Sequence, residues 1–404
     1  MNLLFVTDVS ISKVIGGAER VLFEQVSRLA KRGHSVFIMT RRLPNQKSDQ
    51  EVIQHVREYR YDCNSKNPLL FLSKTYANSK KIFEILHKKK MFDCINFHQS
   101  LSSLGVIHSS LSSRIPKIYT CHSLSFEEFI SRNGNENRFI PNVSSLIKTL
   151  GYKLIEKEVL QRSDSIITLS KFTKNKIITV HKILKNKIQV IPGGVNLNKF
   201  ALADDKNKIR KQLNIPQNKV VLFTVRNLVQ RMGLDNLIIA FNNLIKRKIE
   251  IHLVIGGEGV LQDGLIALTR SFGIDDHIHF AGFIPEEQLP AYYQMADLFV
   301  LPSMELEGFG LVTLEAMACG LPVLGTPVGG TKEIIGNFDP SFLSEGTDPH
   351  SMAELILKKY YIIKNNPQRW KEISNHCRKF VENNYSWEKN INALERVFVN
   401  ANQK

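Results

Sequence analysis

The chain has 404 residues, of which 43% are hydrophobic and 23% charged, and a formal net charge of +16. That length exceeds one ordinary core and predicts two domains of about 200 residues each, while the composition excludes disordered, collagen-like and coiled-coil classes. No window approaches the ~20 consecutive apolar residues of a membrane span, and the five cysteines are scattered without C-x-x-C spacing, which argues against a disulfide framework or structural zinc and for a reducing, cytoplasmic location.

In chain order, apolar runs at 2–7, 35–40, 92–98, 117–122, 165–170 and 187–192 read as strands, followed by 219–226, 250–256, 277–282, 297–302 and 322–326. They are rich in Val, Ile and Phe with little alternation, as strands buried on both faces of a parallel sheet should be. Helix-period segments lie between them. In residues 18–32, Val21, Leu22, Val26, Leu29 and Ala30 share one face and Gly33 follows as a stop. The alternation predicts an α/β chain of two Rossmann-like, doubly wound domains. A polar stretch at 196–219, with Asp204, Asp205, Lys206 and Pro216, reads as the hinge between them. Ligands of such sheets bind outside the carboxyl ends of the strands, so two domains facing across a cleft are expected to share one site.

The charge is unevenly placed: residues 1–200 carry 32 Lys+Arg against 15 Asp+Glu, and residues 201–404 carry 22 against 23. A basic half reads either as solvated helix faces or as a surface drawn to anionic lipid or an anionic acceptor, at about 1 kcal/mol per Lys or Arg. Segments 74–92 and 146–160 read as amphipathic basic helices suited to peripheral contact with an anionic membrane. Nucleic acid is not an expected partner, because the basic stretches carry no interleaved aromatics and match no common DNA- or RNA-binding module.

The strongest motif is the segment 307–320, Glu-Gly-Phe-Gly-Leu-Val-Thr-Leu-Glu-Ala-Met-Ala-Cys-Gly, directly after a strand and opening a helix. Gly308 and Gly310 let the backbone approach a ligand, and the first N–H groups of the helix, around Phe309 to Leu311, are free to meet phosphate. Leu311, Glu315 and Ala318 fall on one inward face. A carboxylate there needs hydrogen-bond donors, which ribose hydroxyls or a protein partner would supply. Glu307 precedes the helix, within reach of a bound sugar.

This segment resembles the E-x7-E signature of the retaining glycosyltransferase family 4, of GT-B fold, and the likeness runs along nearly the whole chain. Gly16-Gly17-Ala18-Glu19-Arg20 is similar to the family's first loop, which implies Gly16 near the acceptor and Gly17 near the donor diphosphate. Tyr119-Thr120-Cys121-His122-Ser123 resembles the strand end with the active-site histidine, so the resemblance implies that His122 and Glu307 are catalytic. Residues 190–196 with Phe200 resemble the segment leading out of the first domain, and residues 325–330 with Glu333 a donor-side loop. Residues 223–233 resemble the basic loop that grips the diphosphate. The family pattern of Arg and then Lys-Gly falls on Arg226 or Asn227 and on Arg231 or Met232. Arg226 and Arg231 are the expected donor-binding cations, with Gly308, Phe309, Gly310, Leu311 and Glu315 on the same side. His98, at another strand end, is the expected wall of the acceptor pocket. Tyr385-Ser386-Trp387-Glu388 is similar to the start of a last helix that crosses back onto the first domain. The expected domains are therefore 1–198, 199–380 and the helix 381–404.

The resemblance implies transfer of a hexose from a UDP- or GDP-type nucleotide sugar to a hydroxyl acceptor with retention, the departing phosphate oxygen taking the acceptor's proton. A lipid-linked or cell-envelope glycan is the expected acceptor, placing the protein peripherally on the cytoplasmic membrane face. No D-x-D occurs, no metal-ligand spacing is found, and neither a P-loop nor a pyridoxal lysine segment is present. The expectation is thus no cofactor and no metal, with fixed cations and N–H dipoles meeting the leaving diphosphate. The rival is a non-catalytic GT-B membrane or assembly module, which has no need of His122, Glu307 and Glu315 together.

Overall fold

Each of the eleven apolar runs forms a strand in the computed structural model, which describes residues 1–12, 16–43, 46, 48–133 and 143–403. Contacts divide the chain into two units, Met1–Gly193 with Trp387–Lys404, and Gly194–Ser386. The division thus runs at 193/194 and 386/387, beside the expected limits of 198/199 and 380/381.

The first unit holds eight strands: β1 Asn2–Val6, β2 Ser35–Arg41, β3 Gln50–Ile53, β4 Val56–Tyr61, β5 Cys94–Phe97, β6 Lys117–Cys121, β7 Ser165–Thr168 and β8 Ile188–Val190. Their order is β3-β4-β2-β1-β5-β6-β7-β8, parallel throughout except for the β3–β4 hairpin. Residues alternate between two cores on the two sheet faces. Leu4 and Val6 pack with Phe83, Val106 and Val159, and Leu3 and Phe5 pack with Leu22, Val26 and Leu394. The last helix, Trp387–Asn402, supplies Ile391, Leu394, Val397 and Phe398 to the second core, so it is part of the first unit.

The second unit carries β9 Val220–Val225, β10 Ile251–Gly256, β11 Ile278–Gly282, β12 Leu298–Leu301 and β13 Val323–Gly325, in the order β11-β10-β9-β12-β13. All its pairings are parallel. Each sheet reverses strand order once, between β1 and β5 and between β9 and β12. The crevice outside the carboxyl ends at such a reversal is where doubly wound sheets bind ligands.

One element was missed and one expectation needs correction. The hairpin β3–β4 was not anticipated, because Gln50–Ile53 and Val56–Tyr61 are polar and turn through Gln54 and His55, both at positive φ, instead of the usual Asn-Gly. The stretch expected as the hinge between the domains, 196–219, is largely folded into the second unit. It contains the helix Lys206–Gln212, capped by Asp205, and buries Arg210, which bonds Asp297 Oδ2 (2.6 Å) and the Met295 carbonyl (2.8 Å).

Candidate active site

In the first unit the reversal point gathers the residues just past β1, β5 and β6. His98 donates its backbone N–H to the Val6 carbonyl (2.8 Å), which fixes the chain beyond β5 against the end of β1. Its ring, 3% exposed, bonds through Nδ1 to His122 Nε2 (2.9 Å) and lies against Phe5. Burial holds the His122 imidazole down at about 4, and burial together with the neighbouring His122 holds His98 well below the usual histidine range. Both rings are therefore neutral near pH 7, one donating to the other. His98 stands behind His122: nearly all of its surface is buried, and its side-chain hydrogen bond goes to the His122 ring, which it orients.

The loop after β1 is tied down by partners that sequence reading did not find. Buried Glu58 on β4 accepts from Ser10 Oγ (2.5 Å), the Ile11 N–H (2.9 Å) and Arg60 Nε (2.7 Å). Gln99 Oε1 accepts from Thr7 Oγ1 (2.6 Å) and the Asp8 N–H (2.8 Å). Asp8 also takes the Ser102 hydroxyl, which accepts from Tyr61 OH (2.7 Å), and its charge raises the Arg41 guanidinium beside it. Only alternation in Val56–Tyr61 could have signalled Glu58, and the charges at its inward positions masked that signal. Gly16 caps the helix Gly17–Lys31 with no side-chain bond to the first N–H groups, and an added Cβ there would sit 2.7 Å from Glu19 Oε2.

In the second unit the reversal between β9 and β12 brings together Arg226 and Glu307, which are 81 positions apart. Their side chains are only 5% and 12% exposed and form an ion pair. Arg226 Nη2 also reaches Ser303 Oγ (3.1 Å), Ser303 Oγ reaches Glu307 Oε2 (3.2 Å), and Met232 Sδ lies 2.8 Å from Nη2. Among the two registers left open by the sequence, Arg226 is the buried residue of its pair and Asn227 is exposed. Arg231 is part-buried and donates to the Leu306 carbonyl (3.3 Å), while its neighbour Met232 is buried against Arg226. Arg226 and Arg231 thus flank the same loop as Glu307.

Glycines shape that loop. Gly330 N–H donates to the Glu307 carbonyl (2.7 Å), and Gly329, at φ +64, leaves no room for a Cβ beside that oxygen. Gly310 (φ +89) starts the helix Leu311–Ala318, whose first turn has no side-chain cap. Phe309 and Leu311 are buried, and Phe309 packs on Tyr385. Glu315 is 2% exposed and accepts from Tyr293 OH (2.9 Å), so the protein itself meets part of its need for donors. Among the described residues, no group of three His, Cys, Asp or Glu is placed to hold a metal ion, and no helix is long and apolar enough to cross a membrane.

Comparison with known proteins gives the same picture over both units. Residues 15–199 match the family described as Glycosyltransferase Family 4, and residues 205–389 match Glycosyl transferases group 1. Mannosylfructose-phosphate synthase of Agrobacterium fabrum is 27% identical over 365 residues, 85% of this chain and 78% of that protein. A GDP-mannose-dependent phosphatidylinositol monomannoside mannosyltransferase of Mycolicibacterium smegmatis is 30% identical over 48% of this chain and 52% of its own length. Among solved structures, sucrose-phosphate synthase from Thermosynechococcus elongatus superposes with a TM-score of 0.82 at 21% identity, covering 99% of this chain and 98% of that one. HepE from Anabaena, solved with UDP and glucose, gives 0.75 at 18% identity over 99% of both chains. The chain belongs to glycosyltransferase family 4 and is a glycosyltransferase of GT-B fold.

Proposed function

We propose that this enzyme moves a hexose from a UDP- or GDP-type nucleotide sugar to a hydroxyl acceptor, with retention of configuration and without a metal. The second unit takes the donor. Arg226 turns Nε and Nη2 toward Met232, Ser303 and Glu307, leaving Nη1 for a phosphate oxygen. Arg231 and the N–H groups at Gly308–Leu311 add positive potential where the leaving diphosphate gains charge. Glu307, held by Arg226, faces the sugar, and Glu315, oriented by Tyr293, takes a ribose hydroxyl. Gly16, which caps the helix Gly17–Lys31 of the first unit, serves the acceptor. Neutral His122, held by His98, hydrogen-bonds the transferred sugar.

In the reaction the bond from the sugar C1 to the β-phosphate oxygen breaks and one from C1 to the acceptor oxygen forms. The acceptor proton passes to the departing phosphate oxygen, so no enzyme nucleophile is needed. The Arg226–Glu307 pair beside an uncapped helix N-terminus is the observation that carries this reading. The relatives' names support it, since one is GDP-mannose-dependent and one neighbour was solved with UDP and glucose. A lipid-linked or cell-envelope glycan is the acceptor we favour, with the protein peripheral on the cytoplasmic membrane face.

The test is nucleotide release from UDP-, GDP- and ADP-sugars with EDTA throughout and a membrane-lipid extract as acceptor. Release from one donor, undiminished by EDTA and dependent on Glu307, is expected. Release abolished by EDTA would overturn metal independence, and silence across the panel in folded protein would overturn the donor assignment.

A further inference from the structure

The first unit carries aliphatic surface that its own core does not use. The helix Val143–Arg162 sends Val159 and Leu160 into the core, yet Leu146, Ile147, Leu150 and Leu154 stand 56% to 66% exposed. Those four fall within an arc of about 100° on the helix. The helix Pro68–Lys90 behaves alike: it buries Phe83 and Leu86, while Leu69, Leu70 and Leu72 near its start are 77%, 52% and 37% exposed.

The two sets lie at one end of the unit. The first of these helices precedes β7 and the second follows β4, so in a parallel arrangement both begin at the strands' carboxyl ends. Their late turns adjoin the end of the helix Ser100–Ile107, through His108 to Glu158 (3.1 Å) and Ser109 to Glu84 (2.7 Å). The exposed leucines therefore mark the carboxyl edge of the sheet, which is also the edge that carries His98 and His122.

Charge on this end is chiefly basic: Asp62 is an exposed acid beside it, and Glu127 is paired with Lys176. Lys66, Lys74, Lys148 and Lys157 are exposed among the leucines. The acids of the later helix are engaged, Glu156 buried with Ser125 and His181, and Glu158 with His108 and Arg162. Protein interfaces favour Tyr, Trp and Arg and are depleted of Lys. Aliphatic side chains ringed by lysines instead match an anionic lipid surface, which takes the apolar tips among its headgroups and the lysines against its charge.

We propose that this end of the first unit docks on the anionic face of a lipid bilayer through Leu146, Ile147, Leu150 and Leu154, with the early leucines of the helix Pro68–Lys90 beside them. Docking there presents a membrane-borne acceptor hydroxyl at the edge that holds His122; in this the proposal rests on the reading of the first unit as the acceptor half.

The test is co-sedimentation with phosphatidylcholine vesicles with and without phosphatidylglycerol. Wild-type protein is expected to pellet with the phosphatidylglycerol vesicles and to be released by salt. The double variant L146E/L150E should partition at least about tenfold more weakly, and K148E/K157E by about fivefold or more per lysine at low salt. Both should keep wild-type hydrolysis of the donor sugar, since none of these residues touches the reacting groups. Wild-type protein that ignores phosphatidylglycerol, or a leucine variant that binds like wild type, would overturn the proposal. So would a wild-type dimer in sedimentation velocity that L146E/L150E converts to monomer, because the face would then belong to a second copy. Vesicle binding as expected without transfer to any lipid acceptor would sink the acceptor reading and leave the surface standing.

Discussion

Arg226 and Glu307 are nearly buried and ionised against each other, so each substitution has both a stability and a rate consequence. Arg226→Ala strands Glu307 in a site it cannot leave, at a cost of about 3 to 5 kcal/mol. Glu307→Gln keeps a polar partner for Arg226 and should cost far less stability. If Arg226 also holds the leaving diphosphate, Arg226→Lys should fold and still lose about 10²- to 10³-fold in kcat; chemical denaturation and initial rates on the same protein separate the two effects. Near wild-type turnover by Arg226→Lys would remove Arg226 from the donor site. Acid sensitivity is likewise a residue property. Burial depresses His122 to about 4, and burial with the positive Lys219 does the same to His252. Above about pH 6.5 neither contributes, because folded and unfolded forms are both neutral; as pH falls from there toward 4 the unfolded chain binds more protons, and stability is lost by up to about 3 kcal/mol per histidine. Melting temperatures should therefore drop across that window, and His252→Asn should make the drop shallower; equal slopes for variant and wild type would refute the assignment. Glu307 and the glycines around it stand in a local motif, whereas His122 was singled out only by the family resemblance of its strand end. Glu58 and Gln99 were not legible, because an ordinary Glu on a polar strand carries no local mark of the loop it holds.

At the scale of elements, positive-φ glycines differ in what surrounds them, and the difference is measurable. Gly282 (φ +65) has nothing within 4 Å of an added Cβ, so Gly282→Ala should cost only about 1 kcal/mol. Gly329 (φ +64) sits against the Glu307 carbonyl, so Gly329→Ala adds a backbone clash to the same strain. It should cost about 2 to 5 kcal/mol and lower turnover by shifting Glu307. Similar melting temperatures for the two variants would show that the loop gives way freely. The last helix makes a separate point. Leu394 is fully buried against Leu3 and Phe5, so Leu394→Ala should cost about 2 to 5 kcal/mol, read as a lowered midpoint in denaturant. A loss below about 1 kcal/mol would mean that the helix is only loosely held. The strands were readable because continuous Val, Ile and Phe runs are the mark of a doubly covered sheet. The β3–β4 hairpin escaped because its strands are short and polar and its turn uses Gln54 and His55 at positive φ.

For the molecule as a whole, a donor site confined to the second unit predicts how ligand moves the unfolding curve. Free UDP or GDP at about a hundred times its dissociation constant adds about 2.7 kcal/mol to the unit that binds it. That is roughly 5 to 10 °C for a unit of this size. If scanning calorimetry resolves two transitions, only one should move, and the nucleotide that moves it names the donor base; equal shifts for both transitions would refute a site built from the second unit alone. The sequence by itself determined the alternation of strands and helices, the division into two doubly wound units, the family, and the glycine-rich helix start at Gly310. All of these are written in local pattern, as periodicity, apolar runs and turn residues. Tertiary structure alone decided that Arg226 rather than Asn227 meets Glu307, that His98 lies behind His122, that Glu58 anchors the loop after β1, and that the polar stretch at 206–212 is a helix of the second unit. Each of these is a meeting of residues distant in sequence, fixed by strand order and burial, and no local pattern encodes which distant side chain a given charge will find.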